Sequence, residues 1–450
     1  MDFNHKKVLV VGTGISGIGA VKLLIKANAQ PVLYDSNATL DRDEIYKKLE
    51  GIHCEIILGN IEEEMIKTFQ LAVISPGVPV DSPLVLKLKE ENITVWGEIE
   101  LAYRCGRGKI LAITGTNGKT TTTALVGKIM EDYFGKADIV GNIGIAYTDT
   151  ALDSVDSTVT VAEISSFQLE TIEQFKPAVS AILNITPDHL NRHYTMENYA
   201  AVKESITKNQ DETDTCVLNY EDEFTRSIGQ RCNCKVVYFS SKRKLEQGIY
   251  FEEDVIYIAD KKSIIKALNV HDMKLLGIHN VENVMAAIGM ALSFQIPLLN
   301  IIATVKSFKA VEHRIEYVAT KDGVDYYNDS KGTNPDAAIK GIQAMNRPTI
   351  LIGGGYDKMS EYDEWIESFD GKVKYLVLIG QTRDKIAQCA KRHGFDRIIM
   401  AEDLAEALNI SRQKAVEGDA VLLSPACASW GMFPNYEVRG TMFKQIVNSF

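Results

Sequence analysis

The sequence predicts an α/β protein with mostly parallel sheets, spread over about three domains. The first observation behind this is alternation: short β-branched apolar runs trade places with helical segments along the whole chain. Strands are expected at 8–11, 31–34, 71–74, 110–114, 158–163, 178–184 and 216–218, then at 324–327, 349–352, 375–379 and 420–423. The second is size. The chain has 450 residues, and it carries more strands than one sheet of ordinary width holds.

Composition narrows the function classes. Apolar residues make up 45%, enough for ordinary cores, and the net charge is −11. That balance argues against nucleic acid or an anionic membrane as a main partner, while leaving room for a local basic pocket around a phosphorylated small molecule. The seven cysteines are scattered, and Cys232-Asn-Cys234 has no second pair to complete a zinc set. Reduced thiols in the cytoplasm are the expectation. Lys6 and Lys7 precede an apolar run that is too short for a signal peptide and is broken by Gly12 and Gly14. No apolar stretch approaches the ~20 residues that span a bilayer.

Ligands of open α/β sheets gather beyond the carboxyl ends of strands, so the residues there are the candidates for function. The first strand is followed by Gly12-Thr-Gly14-Ile-Ser-Gly17, and Asp35 follows the next strand, eighteen residues after Gly17. This is the dinucleotide fingerprint, acid included. An NAD-dependent oxidoreductase and a UDP-sugar binder both satisfy it, because the motif requires only a phosphate at a helix start. Arg104-Cys-Gly-Arg-Gly-Lys109 is a polar link, and a domain break is expected between 96 and 109.

The strand at 110–114 runs into Gly115-Thr-Asn-Gly-Lys-Thr120. Four threonines then open a helix, although branched threonine is a mediocre helix former. Phosphate chemistry accounts for the choice. Free N–H groups and the helix dipole face an anion, Lys119 adds charge, and Thr120 offers a hydroxyl to Mg²⁺. Ile113 stands where a strict P-loop has glycine, so the match is to a shortened form. The alternative is an ordinary glycine turn with an exposed lysine. Two phosphate sites on one chain fit a nucleotide-linked substrate plus ATP better than a simple dehydrogenase.

Glu163, at the next strand end, is either a Mg²⁺ ligand or a solvated carboxylate. His189, closing Asn184-Ile-Thr-Pro-Asp-His189, either binds metal or caps a loop. Lys203, in a helix expected at 196–208, reads by itself as a surface lysine. An amphipathic helix at 280–294 precedes a second break near 307–313.

Further motifs follow in order: His279-Asn-Val-Glu-Asn283, His313-Arg314, Asp329-Ser-Lys-Gly-Thr-Asn334 and Ser424-Pro-Ala-Cys-Ala-Ser429. With Gly115-Thr-Asn-Gly-Lys-Thr120, Glu163-Ile-Ser-Ser-Phe-Gln168 and the motif ending at His189, the set resembles the Mur ligase family over almost the whole chain. The resemblance implies a Rossmann-like N-terminal domain for the UDP-substrate (1–98), a central P-loop ATPase domain with a mostly parallel sheet (99–308) and a Rossmann-like C-terminal domain for an amino acid (309–450). It implies amide-bond formation driven by ATP, in which a substrate carboxylate takes the γ-phosphoryl group and an amine then attacks the acyl phosphate.

Site residues carry over one at a time. The resemblance makes Gly115, Thr116, Asn117, Gly118, Lys119, Thr120 and Thr121 nucleotide contacts, with Asn280 and Asn283 near adenine and His313, Arg314 and Asp329 toward phosphate and ribose. It makes Lys119, Glu163, His189 and Lys203 catalytic. Two Mg²⁺ ions are implied, one on Thr120 and Glu163 and one on Glu163 and His189, with Lys203 carbamylated to orient metal. Ile15, Ser16, Asp35 and Ser36 match the uridine end, with Ser75 and Gly77 near it. Asn142 in Gly141-Asn-Ile-Gly144, Ser165 and Gln168 point toward the muramoyl part.

The run Asp329-Ser-Lys331-Gly-Thr333-Asn resembles the D-glutamate branch, and a lysine with hydroxyls suits a substrate bearing two carboxylates. Lys331, Thr333, Lys358, Ser429 and Tyr436 are the candidates for that pocket. Gly431 departs from the acid common in this branch, and Gly332 from alanine. The implied partners are UDP-N-acetylmuramoyl-L-alanine and D-glutamate, with no nucleic acid and no membrane, for a cytoplasmic monomer of peptidoglycan precursor synthesis. Rival readings are another ligase on the same ATPase core (another Mur branch, or a folylpolyglutamate synthetase), the NAD-dependent oxidoreductase and a non-catalytic UDP-sugar binder.

Overall fold

In the computed structural model, residues 3–142, 145–309 and 311–450 are described. Ile143 and Gly144, the end of the Gly141-Asn-Ile-Gly144 motif, and Ala310, in the second expected break, lie outside them. Among the described residues the strands form three sheets of five, nine and six members.

The first sheet comprises β1 (Lys7–Val11), β2 (Gln30–Asp35), β3 (Glu55–Leu58), β4 (Leu71–Ile74) and β5 (Thr94–Gly97), in the order β3-β2-β1-β4-β5. Its central members are covered on both faces. Val8 to Val11 and all of β4 are therefore buried, which is why they read as unbroken apolar runs. The second sheet holds β6 (Lys109–Thr114), β7 (Asp138–Gly141), β8 (Val159–Glu163), β9 (Val179–Ile182), β10 (Thr215–Asn219), β11 (Lys235–Ser240), β12 (Gly248–Glu252), β13 (Val255–Asp260) and β14 (Ser263–Asn269). Its order is β14-β13-β12-β11-β10-β9-β6-β8-β7. The third holds β15 (Glu316–Lys321), β16 (Val324–Asn328), β17 (Thr349–Gly353), β18 (Val373–Leu378), β19 (Ile398–Met400) and β20 (Ala420–Leu423), ordered β15-β16-β20-β17-β18-β19.

All eleven expected strands are present, and the expectation of mostly parallel sheets holds. The second sheet also ends in antiparallel pairs β12–β13 and β13–β14, which the strand reading did not contain. The turn between β12 and β13 uses Glu253 and Asp254, both at positive φ (46° and 61°), a backbone normally signalled by Asn-Gly. The helix expected at 196–208 ends as Met196–Glu204 and tightens into a 3₁₀ turn, Ser205–Thr207.

The chain divides into two units, Met1–Asp272 with Glu282–Lys306 and Met273–Val281 with Ser307–Phe450. The first unit contains both the β1–β5 and β6–β14 sheets, and one core runs continuously through them: Ile18, Ala20 and Trp96 share a cluster with Val140, Ala162 and Ile182.

Glu100 fastens one corner of that unit. Its carboxylate is fully buried, accepts backbone N–H bonds from Glu173, Gln174 and Phe175 and pairs with Arg104 at 2.6 Å. Truncating it strands the buried Phe175 N–H and three part-buried donors at once. Glu100→Ala is expected to destabilise the first unit by about 3 kcal/mol or more, read as a lower urea midpoint for the transition that contains this unit.

Candidate functional site

Neighbouring parallel strands bring three loops together in the first unit. β6 pairs with β8 on one side and β9 on the other, with Ile113 opposite Glu163 and Thr114 opposite Ile182. The glycine loop after β6, Glu163 at the end of β8 and the Asn184–His189 stretch after β9 thus lie at one sheet edge.

The loop is held in shape by residues outside it. Asn184 accepts the Asn117 N–H (2.8 Å) and donates back to the Asn117 carbonyl (3.1 Å). The Thr116 hydroxyl bonds the Thr186 carbonyl, accepts the Thr186 N–H and meets the Tyr199 hydroxyl at 3.3 Å. Gly118 caps the Lys119–Phe134 helix at φ 86°, and a Cβ there would lie 2.2 Å from Asn283 Oδ1. Only glycine takes both that dihedral and that approach. It also places Asn283 against the loop. Thr121, Thr122 and Thr123 are buried, so packing explains part of the threonine run, and the helix start carries no side-chain cap.

Two lysines converge on one carbonyl. Lys119 Nζ donates to the carbonyls of Gly115 (2.8 Å) and Thr116 (2.9 Å), and Lys203 Nζ donates to the same Gly115 oxygen at 2.9 Å. The surface reading of Lys203 is therefore wrong. It is 1% exposed, because its helix turns the face bearing Tyr199, Ala200 and Lys203 inward, and its ammonium lies 4.6 Å from the Tyr199 ring. Burial, followed by the Lys119 charge, pulls its pKa well below that of an ordinary lysine.

Glu163 is 1% exposed. Its Oε1 accepts from Asn142 Nδ2 at 2.8 Å, while Oε2 is buried with no hydrogen-bond partner. A buried carboxylate oxygen with free lone pairs suits a hard cation. His189 is half-exposed at φ 52°, with its ring 4.8 Å from that of Phe167 and Nε2 3.4 Å from Asp188. His193, which sequence reasoning passed over, also packs on Phe167, with ring centroids 5.6 Å apart, and bonds Ser166 Oγ at 3.0 Å. Burial and then the Lys203 charge depress its pKa to about 4.

Around the first glycine motif, Asp35 Oδ2 accepts the Thr13 N–H (3.1 Å) and hydroxyl (2.8 Å). Ser75 Oγ is buried without a partner beside Gly12, Ile15 is 84% exposed, and Ser16, Ser36 and Gly77 lie around the same strand ends. Gln168 is held from inside. Its side chain is buried, closes a capping box with Ser165 and donates to Glu98 Oε1 at 2.8 Å, so it braces the loop from inside instead of presenting a free amide.

In the second unit, the carboxyl ends of neighbouring strands β16, β20 and β17 carry the expected amino-acid residues. Asp329 follows β16, is buried, and accepts from Ser424 Oγ (2.6 Å) and the Ile315 N–H (3.3 Å). Burial raises its pKa to about 7. Beside it Arg314 Nε is buried without a partner, and His313 Nδ1 meets Asn328 Nδ2 at 2.9 Å. Lys331 lies over the Tyr436 ring (5.6 Å) and exposed Lys358 over Trp430 (4.9 Å), while Ser429 is buried and Thr333 half-buried. Asn280 Nδ2 donates to the Leu276 carbonyl. Arg439, which had no sequence signal, ties Ser330 to the Cys427 carbonyl.

Three family models match in order. They are the Mur ligase MurD-like N-terminal domain over residues 6–97, the Mur ligase middle domain over 113–291 and the Mur ligase glutamate ligase domain over 313–427. A protein of Lachnospira eligens named UDP-N-acetylmuramoylalanine--D-glutamate ligase is 59% identical, with 100% of both chains covered. One of the same name from Lachnoclostridium phytofermentans is 53% identical over 100% of this chain and 99% of its own. Among solved structures, the UDP-N-acetylmuramate-alanine ligase of Thermotoga maritima superposes with a TM-score of 0.60 at 21% identity, covering 99% of this chain and 100% of that one, a likeness of fold.

Glu98 yields a testable pH effect. It is fully buried beside Gln168, Oε2 has no partner, and burial raises its pKa to about 7. The folded state then holds a proton that the unfolded chain releases near pH 4.5, so this group's stabilising share is complete below that pH and is lost as pH rises toward 7. Glu98→Gln mimics the protonated acid and removes the slope. Between about pH 5 and about pH 7.5 the wild type is expected to lose roughly 2 kcal/mol relative to the variant, measured by urea unfolding across that range.

Proposed function

The chain belongs to the Mur ligase family, and on that premise we propose that it joins D-glutamate to UDP-N-acetylmuramoyl-L-alanine at the expense of ATP, in peptidoglycan precursor synthesis. The observation that carries the reading is the unpartnered, buried Oε2 of Glu163, one strand away from a glycine loop that already holds two lysines.

The loop from Gly115 to Thr121 offers N–H groups and a helix dipole to phosphates, and Lys119 supplies the positive charge beside them. Mg²⁺, two ions in this reading, would be held by Thr120, Glu163, His189 and a modified Lys203, and would neutralise phosphate charge during transfer. The substrate carboxylate attacks the γ-phosphorus, ADP leaves, and the amine of D-glutamate displaces phosphate from the acyl phosphate to form the amide. Asn142 and Ser165 flank Glu163 and are assigned to the muramoyl end, while Ile15, Ser16, Asp35, Ser36, Ser75 and Gly77 are assigned to the uridine end.

On the second unit, Asn280, His313, Arg314 and Asp329 are assigned to nucleotide. Lys331, Thr333, Lys358, Ser429 and Tyr436 are assigned to the two carboxylates and the amine of the amino acid. The working form is a cytoplasmic monomer, its seven cysteines free thiols. No helix among the described residues is long and apolar enough to cross a membrane.

Turnover is tested by phosphate release with UDP-N-acetylmuramoyl-L-alanine and ATP. D-glutamate is expected to support it while L-glutamate and L-lysine do not; equal rates with L-lysine overturn the assignment of substrate. Lys119→Ala is expected to lower the rate by about 10² or more with unchanged circular dichroism.

Lys203 is the proposed carbamate. A neutral amine is the form that adds to CO₂, giving a carbamate and a proton, and burial beside Lys119 favours that form. In ¹³C-bicarbonate, the full chain is expected to show a carbamate carbonyl resonance that Lys203→Ala lacks. A resonance that survives this substitution assigns the modification elsewhere.

A further inference from the structure

Apart from the candidate site, three possible metal ligands come together in the second unit. Cys389 and His393 stand four apart on one face of the Arg383–Arg392 helix, with His393 as its C-cap. Asp363, the first residue of the Asp363–Glu367 helix, meets them. One donor atom from each of the three lies within 4.8 Å of the others. From this arrangement we propose that the chain binds one zinc-class divalent ion through Asp363, Cys389 and His393.

The chemistry of the donors selects the ion. Thiolate, imidazole and carboxylate together form a set that zinc and its first-row neighbours prefer and that Mg²⁺ or Ca²⁺ does not. Three protein ligands leave a fourth position for water. The imidazole is oriented as a ligand should be: Nε2 faces Asp363 Oδ1 at 2.8 Å, and Nδ1 faces Glu367 Oε1 at 3.5 Å. A ligating histidine commonly gives its second ring nitrogen to a carboxylate, which fixes the ring and raises its basicity. Cys389 is buried beneath the group, whereas Asp363 and His393 reach solvent and give an entry path. A cation already approaches the spot, since Arg392 Nη2 lies 3.3 Å from Asp363 Oδ1. That guanidinium is 62% exposed and can swing out to water as the ion enters.

The site is separate from the proposed amino-acid pocket. The Arg383–Arg392 helix connects the parallel strands β18 and β19, so it runs back across the sheet. Residues 389 to 393 therefore lie toward the amino ends of strands whose carboxyl ends carry the pocket. Binding takes up one ion and releases the thiol proton of Cys389 to solvent.

The test uses the full chain freed of metal by chelation and titrated with Co²⁺, which reports thiolate ligation through a near-ultraviolet charge-transfer band. The band is expected to saturate at one equivalent and to vanish when Zn²⁺ displaces cobalt. Cys389→Ser should abolish it. Glu367→Gln should weaken binding by about tenfold or more through the imidazole, and Arg392→Ala should tighten it. Cobalt at the Mg²⁺ positions has no thiolate and stays silent in this band. Because Cys389 is buried, the surface variant His393→Ala, checked for native thermal unfolding, supplies a second reading and should weaken the band as well. No band at stoichiometric cobalt, a band that survives Cys389→Ser, or one lost instead in Cys232→Ser overturns the proposal.

Discussion

One backbone oxygen organises the first unit's candidate site. The Gly115 carbonyl receives hydrogen bonds from both Lys119 and Lys203, which puts the two nitrogens within about 6 Å of each other, where two full charges repel by roughly 3 kcal/mol at an effective dielectric near 20. Both cannot be comfortably cationic. Lys203 is the deeper of the two, and burial followed by the Lys119 charge lowers its pKa well below that of an ordinary lysine. The same sharing fixes the loop's shape, because moving Gly115 costs both bonds.

That constraint reaches outward through residues with no chemistry of their own. Asn184 and Tyr199 hold Asn117 and Thr116, and Asp222 accepts the Ile185 N–H, steadying the segment that leads to His189. Gln168 fills a comparable place on the neighbouring strand end, locking Ser165 from beneath and leaning on Glu98. The second unit repeats the arrangement with other residues. Arg439 grips the loops after β16 and β20, while Asp329 and Ser424 bond each other between them. In both units buried polar side chains, Gln168 and Glu98 in the first and Arg439 and Ser424 in the second, brace the loops that carry the candidate residues.

The sequence disclosed the strands that are covered on both faces, because burial on two sides leaves a continuous apolar run such as Leu71 to Ile74. It was quiet about the edge strand β3, which is short and only partly buried, and about β12 to β14, whose turns lack Asn-Gly. Glycine spacing and strand order announced both glycine loops, and Glu163 was legible as an acid at a strand end. Burial of a charged side chain is a tertiary property, so nothing in the local pattern around Lys203 separated it from a surface lysine. The inward turn of Gln168 was hidden for the same reason: Ser165-x-x-Gln168 reads as a capping box in the sequence, and its bond to Glu98 comes from packing. Arg439 had no signal at all, since its partners are carbonyls and a hydroxyl brought from distant loops.

The dinucleotide fingerprint shows how one motif can be met for reasons internal to the fold. A Cβ on Gly17 would lie 1.8 Å from the Gly12 carbonyl, so that glycine is required by helix–strand packing whatever ligand arrives. Asp35, the acid that would grip an adenosine ribose, already spends Oδ2 on the N–H and hydroxyl of Thr13 and Oδ1 on the Asn37 N–H. Of roughly four acceptor positions on a carboxylate, that leaves about one, poor provision for a vicinal diol. Meanwhile the Ile15–Lys26 helix begins with no capping side chain and no acid in its first turn, so its amide groups remain open to an anion. The motif therefore keeps its phosphate-binding half and gives up much of its ribose-binding half. That combination fits a nucleotide-linked ligand anchored mainly by its phosphates, in a chain whose second glycine loop, unlike the first, carries a lysine.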